Sequence, residues 1–167
     1  MGKWSGLLAR WTTAYRLHWP GVLWMAVLLG LMAWLDDRHA GILLVPPFAA
    51  SLSILLNLSD VPIAQPVAMV AGSTLGATLG TVLALTLGGG PLVAALGAVA
   101  ALVVLVALRI YHPPGVALAM YPALLHPGLW FPLAVVLPFT LAAVGSMALL
   151  SRVVPGWPPY PQRGPRT

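Results

Sequence analysis

The residues best suited to chemistry lie in one apolar stretch, RIYHPPGVALAMYPALLHPG, at residues 109–128. Arg109 and His112 are ionisable, and ionisable side chains in so apolar a setting usually mark a functional site. His112 could donate a hydrogen bond to an anion or carry a coupled proton, or it could be a satisfied structural residue. Arg109 could attract an anion at a pore mouth, or it could anchor a helix end among cytoplasmic headgroups.

A second proline pair lies in a similar stretch, VPPFAASLSILLNLSDVPIAQPVAMVAGSTLGA, which begins at Val45. Pro46-Pro47 corresponds there to Pro113-Pro114, and later matches include Pro66 with Pro132. Proline suits the first helical position and forces the preceding residue into an extended conformation. We therefore expect helices to begin at Pro47 and at Pro114.

Both expected helix starts lack a capping side chain, so their first amides should be without partners. At membrane depth an unpaired amide costs several kcal/mol, and a helix start carries about half a positive charge. A small inorganic anion would satisfy both demands. The predicted substrate-binding residues are Phe48, Ala49, Ala50, Ser51, Arg109, His112, Gly115, Val116 and Ala117. The alternative is that the prolines only kink a helical bundle, with the freed amides bonded to water, serine or threonine.

The composition indicates an integral membrane protein. Of the 167 residues, 60% are hydrophobic and only 7% are charged, which is too few charges for a soluble surface. The chain has no cysteine, and its net charge of +5 comes mostly from the two ends, so it does not indicate a nucleic-acid partner. Because no catalytic motif, paired carboxylates or metal-ligand cluster is present, we expect neither an enzyme nor a cofactor.

Apolar segments long enough to cross a bilayer, which needs roughly 20 residues, define the expected topology. They are residues 19–35, 66–87, 91–108 and 129–150. Residues 41–58 and 111–125 are interrupted by prolines, but each spans about 30 Å as half helix and half extended chain. If both cross, the arginines at each end of the chain are cytoplasmic, as the positive-inside rule requires. We expect an all-α protein of six transmembrane segments in a bacterial inner membrane, with both termini cytoplasmic.

The paired prolines divide the expected transmembrane domain, residues 20–152, into two repeats, 20–88 and 91–152. Three crossings per repeat is an odd number, so the second repeat should be inverted relative to the first. Broken second and fifth segments at matching places then point to the substrate site. An interfacial amphipathic helix is expected at residues 1–19, and the proline-rich tail, 153–167, is expected to be extended or disordered.

Small residues recur every fourth position at Gly72, Gly76 and Gly80. Such a ridge lets helix backbones pack closely in a membrane. The partner could be another helix of the same chain or a second copy, which would make the protein a homo-oligomer.

Three motifs resemble those of the HPP family of integral membrane proteins, which is named for a His-Pro-Pro tripeptide. They are PPFAAS at residues 46–51, IAQP at 63–66 and IYHPPGVALA at 110–119. The resemblance implies a transporter, and its plant and cyanobacterial relatives imply nitrite as the substrate. Many members follow Gln-Pro with Arg-Asn, whereas this chain has Val67-Ala68, so a cationic contact is missing here.

The function expected from these patterns is a transporter or channel for a small inorganic anion, with nitrite or nitrate as the leading substrate. The alternatives are a membrane subunit that does not itself transport and an intramembrane enzyme. Flux through the isolated protein would separate the first from the second, and a nucleophile–base pair would be needed for the third.

Overall fold

The computed structural model describes residues 17–36 and 45–162, and within these ranges the chain is helical without a strand. The α-helices are α1 (Trp19–Asp36), α2 (Pro46–Asn57), α3 (Ser73–Leu87), α4 (Pro91–Ala107), α5 (Pro113–Leu118), α6 (Tyr121–Leu125) and α7 (Leu137–Val153). Two π-helices, Ala68–Gly72 and Phe131–Val136, run directly into α3 and α7, and a short 3₁₀-helix spans Pro62–Ala64. Nearly all of the expected interfacial helix lies outside the described residues.

Three of the described helices are long and apolar enough to cross a membrane. They span Trp19–Asp36, Ala68–Leu87 and Phe131–Val153. The segments Pro91–Ala107 and Pro113–Leu125 are apolar but shorter. The all-helical membrane class is therefore as expected, while the arrangement of six crossings stays a prediction.

The two proline pairs start helices, as the sequence predicts. Val45 precedes α2 with φ −91° and ψ 135°, and His112 precedes α5 with φ −134° and ψ 113°. Both residues are extended because the following proline ring excludes the helical conformation. Each helix begins at the first proline of its pair, one residue earlier than expected.

The core lies where α2 meets the π-helix before α7 and α7 itself. Phe48 and Leu52 of α2 have no exposed surface, and the Phe48 ring stacks on Phe139 with a centroid separation of 3.8 Å. Phe131 and Met147 are also fully buried in this cluster. Close aromatic packing of this kind supplies the attraction that the hydrophobic effect cannot provide between helices in lipid.

The glycine ridge packs within the chain. A side chain on Gly76 or Gly80 would overlap the carbonyl oxygen of Gly115 or Ala119 respectively. Gly72 likewise faces the Ile110 carbonyl. At all three positions the glycine therefore packs against another segment of the same chain. Formation of a homo-oligomer is not tested by this packing and stays a prediction.

The C-terminal tail is extended but well packed as far as residue 162. Trp157 is only 6% exposed, and its indole N–H donates to the Met147 sulfur at 3.1 Å. The His18 and Trp24 rings meet the Trp157 ring edge-on, with centroid separations of 5.0 and 6.1 Å. The tail therefore joins α1 to α7, and of the two expected alternatives, extended or disordered, this part of it is extended.

Candidate substrate cavity

A cavity of about 510 Å³ lies between α2 on one side and α5 with α6 on the other. Its lining residues are Pro46, Pro47, Ala50, Ile54, Pro113, Pro114, Ala117, Met120, Tyr121 and Leu124. Both proline pairs therefore meet at one cavity, as the sequence repeat requires. None of these ten side chains carries a formal charge at neutral pH.

The first amides of the two helices are not unpaired. The Phe48 amide donates to the Val45 carbonyl at 2.9 Å, and the Gly115 amide donates to the His112 carbonyl at 2.9 Å. In each helix the two leading residues are prolines without an N–H, so the third residue is the first that could lack a partner. The N–H of this third residue donates to the carbonyl of the residue that precedes the prolines. The expectation of unpaired amides is therefore wrong for Phe48 and Gly115.

His112 joins three segments of the chain and is fully buried. Its Nδ1 lies 2.8 Å from the Ile63 carbonyl oxygen, and its Nε2 lies 2.9 Å from the Ser51 hydroxyl. A carbonyl oxygen only accepts hydrogen bonds, so Nδ1 carries the proton; in the neutral ring Nε2 then accepts from Ser51. Both ring nitrogens are thus already paired within the protein, as the structural alternative for this histidine requires.

The loop that carries IAQP contacts both His112 of the His-Pro-Pro tripeptide and the C-terminal tail. Ile63 accepts from His112, while the next carbonyl, on Ala64, accepts from the Tyr160 hydroxyl at 2.9 Å. The Gln65 side-chain amide donates to the Ser59 carbonyl at 2.9 Å, and its oxygen accepts from the Gln162 amide at 3.0 Å. Burial raises the pKa of Tyr160, so its hydroxyl keeps its proton and remains a donor.

The other predicted site residues occupy different surroundings. Ala50 and Ala117 line the cavity, whereas Ala49 lines a neighbouring one beside Leu29. Phe48, Ser51 and Gly115 are buried. Gly115 packs so closely on the end of the first π-helix that a side chain there would lie 2.6 Å from the Gly72 carbonyl oxygen. Val116 is half-buried. The cavity therefore brings together only part of the predicted set.

Arg109 is exposed just beyond the end of α4 and has a left-handed backbone with φ 58°. Its amide donates to the Val106 carbonyl and the Ile110 amide to the Leu105 carbonyl, both at 3.0 Å. This pair of bonds closes the helix in the way that usually selects glycine at the left-handed position. Arg109 thus marks a helix end outside the cavity lining.

Thr74 and Thr140, which each follow a matched proline (Pro66 and Pro132) by eight residues, differ in their hydrogen bonding. The Thr140 hydroxyl donates to the Val136 and Leu137 carbonyls at 2.9 and 3.0 Å, which is ordinary back-bonding within a helix. The hydroxyls of Ser73 and Thr74 are buried and have no hydrogen-bond partner among the described residues. These two lie where the first π-helix gives way to α3.

Tyr121 is the most polar of the cavity residues that the sequence patterns missed, the others being Ile54, Met120 and Leu124. It follows Ala117 by four positions, so the helical periodicity that places Pro113 and Ala117 on one face also reaches Tyr121. A prediction that rests on prolines and unpaired amides does not single out Tyr121, whose side chain combines an apolar ring with a polar hydroxyl. Within the described ranges no group of three or more His, Cys, Asp or Glu residues is placed to hold a metal ion.

A family model described as the transmembrane region of HPP matches residues 10–161. This chain belongs to the HPP transmembrane family. The resemblance carried by PPFAAS, IAQP and IYHPPGVALA is thereby confirmed, and the His-Pro-Pro of HPP proteins is here the start of α5. No curated protein and no solved structure matches the chain.

Proposed function

We propose that this HPP protein is a transporter or channel for a small inorganic anion, with nitrite or nitrate as the leading substrate. The observation that carries the proposal is the single cavity at which both proline pairs meet. Interrupted helices at matching places of two halves commonly form the substrate site in transporters. Membership of a transmembrane family supports the same class of function.

The electrostatics of the cavity favour a weakly hydrated anion. The start of the twelve-residue α2 contributes positive partial charge beside the cavity, even though its Phe48 amide is paired. The lining has no cationic side chain that could replace the hydration shell of a strongly hydrated ion. Nitrite and nitrate lose water at lower cost than acetate or chloride, so they suit an apolar lining better.

An inverted arrangement of two halves is part of the proposal. The two units share the proline-started helix and also a π-helix that leads into the long helix after it, at Ala68–Gly72 and at Phe131–Val136. Six crossings would place both ends of the chain in the cytoplasm, consistent with their arginines. The expected location is a bacterial inner membrane.

Flux into proteoliposomes tests the function. The wild-type chain should take up nitrite and nitrate faster than chloride or acetate, and Ala117→Leu should slow uptake by about tenfold because a larger side chain fills the cavity. The matched control is Ala142→Leu, on an exposed face of α7 and away from the cavity lining.

Two results would contradict the proposal. One is nitrite flux no higher than in empty vesicles under any gradient, which would favour a subunit that depends on a partner. The other is equal flux through both leucine variants and the wild type, which would place the pathway elsewhere.

A further inference from the structure

The Tyr121 ring is fixed in place at the wall of the cavity. It begins α6, one turn beyond Ala117, and it stacks on the Phe131 ring with a centroid separation of 6.3 Å and an angle of 11°. Phe131 is itself fully buried, so the phenol ring lies against the protein core. A ring held in this way presents its hydroxyl without a large loss of conformational freedom.

The Tyr121 hydroxyl is the one side-chain hydrogen-bond donor among the ten residues that line the cavity. The other nine side chains end in carbon or, at Met120, contain a thioether sulfur. Tyr121 is half-buried, and no hydrogen bond joins its hydroxyl to another residue in the part of the chain that the structure describes. A donor without a protein partner therefore borders an otherwise apolar space.

We infer that Tyr121 contacts the substrate and determines specificity by donating its hydroxyl hydrogen to an oxygen of the anion. This inference rests on the proposed function, whose cavity it completes. A hydrogen bond from a neutral donor to an anionic oxygen is about twice as strong as one between neutral groups. Nitrite and nitrate are good acceptors, whereas perchlorate is a singly charged oxyanion that accepts hydrogen bonds weakly. The apolar lining thus favours anions that are weakly hydrated, and among these the hydroxyl favours anions that accept hydrogen bonds strongly.

Tyr121→Phe tests the inference because it removes the hydroxyl and keeps the ring that stacks on Phe131. In proteoliposomes the apparent KM for nitrite should rise by about tenfold, while perchlorate uptake changes little, so the preference for nitrite over perchlorate falls. Tyr111→Phe is the matched control, since Tyr111 is half-buried and lies outside the cavity lining. Melting temperatures without anion confirm that both variants are folded.

Unchanged nitrite KM and unchanged selectivity in the Tyr121→Phe variant would overturn the inference while leaving anion transport in place. If the wild type transports no anion, the proposed function is wrong. The role of Tyr121 in anion binding is then tested separately by thermal unfolding. Nitrite should then raise the melting temperature of the detergent-solubilised wild type but not of the Tyr121→Phe variant. Equal shifts, or no shift in either protein, would overturn the inference.

Discussion

At the scale of single residues, the imidazole of His112 acts as a fixed link between segments. Its two nitrogens bond the Ile63 carbonyl and the Ser51 hydroxyl; the Ser51 contact is buried and the Ile63 contact is partly buried. Contact with an anion would require the Ser51 bond to break. The geometry therefore gives this residue the task of holding α2 and the start of α5 at a set distance beside the cavity.

Ser51→Ala should destabilise the protein by about 1–3 kcal/mol, because the Nε2 acceptor of His112 would be buried without a donor. The measurement is thermal unfolding in detergent. Ser53→Ala is the control, since Ser53 is exposed on the same helix and only its backbone carbonyl accepts a hydrogen bond, from Asn57. Equal melting temperatures of the two variants would show that the Ser51–His112 bond contributes nothing to stability.

The residue-scale features that follow from covalent geometry could be predicted from the sequence. The extended conformation of Val45 and His112 is dictated by the prolines that follow them. The partners of His112 could not be predicted, because Ile63 is 49 residues away and no periodicity links the two positions. The pairing of the Phe48 and Gly115 amides was missed because each helix begins one residue early, which lets the third residue turn back.

At the scale of elements, α3 and the segment from Ile110 to Ala119 touch through backbone atoms. Gly76→Ala should destabilise the protein by about 2 kcal/mol or more, because the new methyl group would overlap the Gly115 carbonyl and force the helices apart. Thermal unfolding measures the change. Gly145→Ala is the control: it lies within α7 with no heavy atom near its missing side chain, so it should be neutral or slightly stabilising. Similar losses in both variants would refute the close-packing explanation.

The glycine spacing predicts that some helix approaches closely, but it cannot say which one. A ridge of small residues identifies only one of the two surfaces in a contact. The other surface here is the segment from Ile110 to Ala119, which includes α5 and has no such pattern. The two π-helices were not predicted either. Their wider turn, with i→i+5 hydrogen bonds, leaves no periodic signal in so uniformly apolar a sequence.

At the scale of the whole molecule, the tail holds the two ends of the described chain together. Trp157→Ala should lower the free energy of unfolding by about 3 kcal/mol, because it removes contacts with α1 and with Met147 of α7. The melting temperature in detergent checks this, and Trp34→Ala serves as the control because Trp34 is 65% exposed. A Trp157→Ala variant as stable as the control would mean that the tail is only loosely attached.

Composition predicted the membrane class and the extended tail, but it did not predict how tightly the tail is packed. With 60% hydrophobic and only 7% charged residues, the chain has too few charges to cover a water-exposed surface, which indicates a membrane protein. Proline richness argued against a helix after Val153, as observed, yet it concealed the buried aromatic rings at Trp157 and Tyr160. Average composition cannot show that two well-placed aromatic side chains are enough to hold an extended segment.

The contact of backbone on backbone along α3 restricts how this protein can move. Atoms that already touch cannot slide or tilt past each other without first separating, so α3 and the chain from Ile110 to Ala119 behave as one mechanical unit. Across the cavity, α2 is joined to that unit by the buried Ser51–His112 hydrogen bond. Any widening of the cavity on the side of α2 would therefore have to break this bond first.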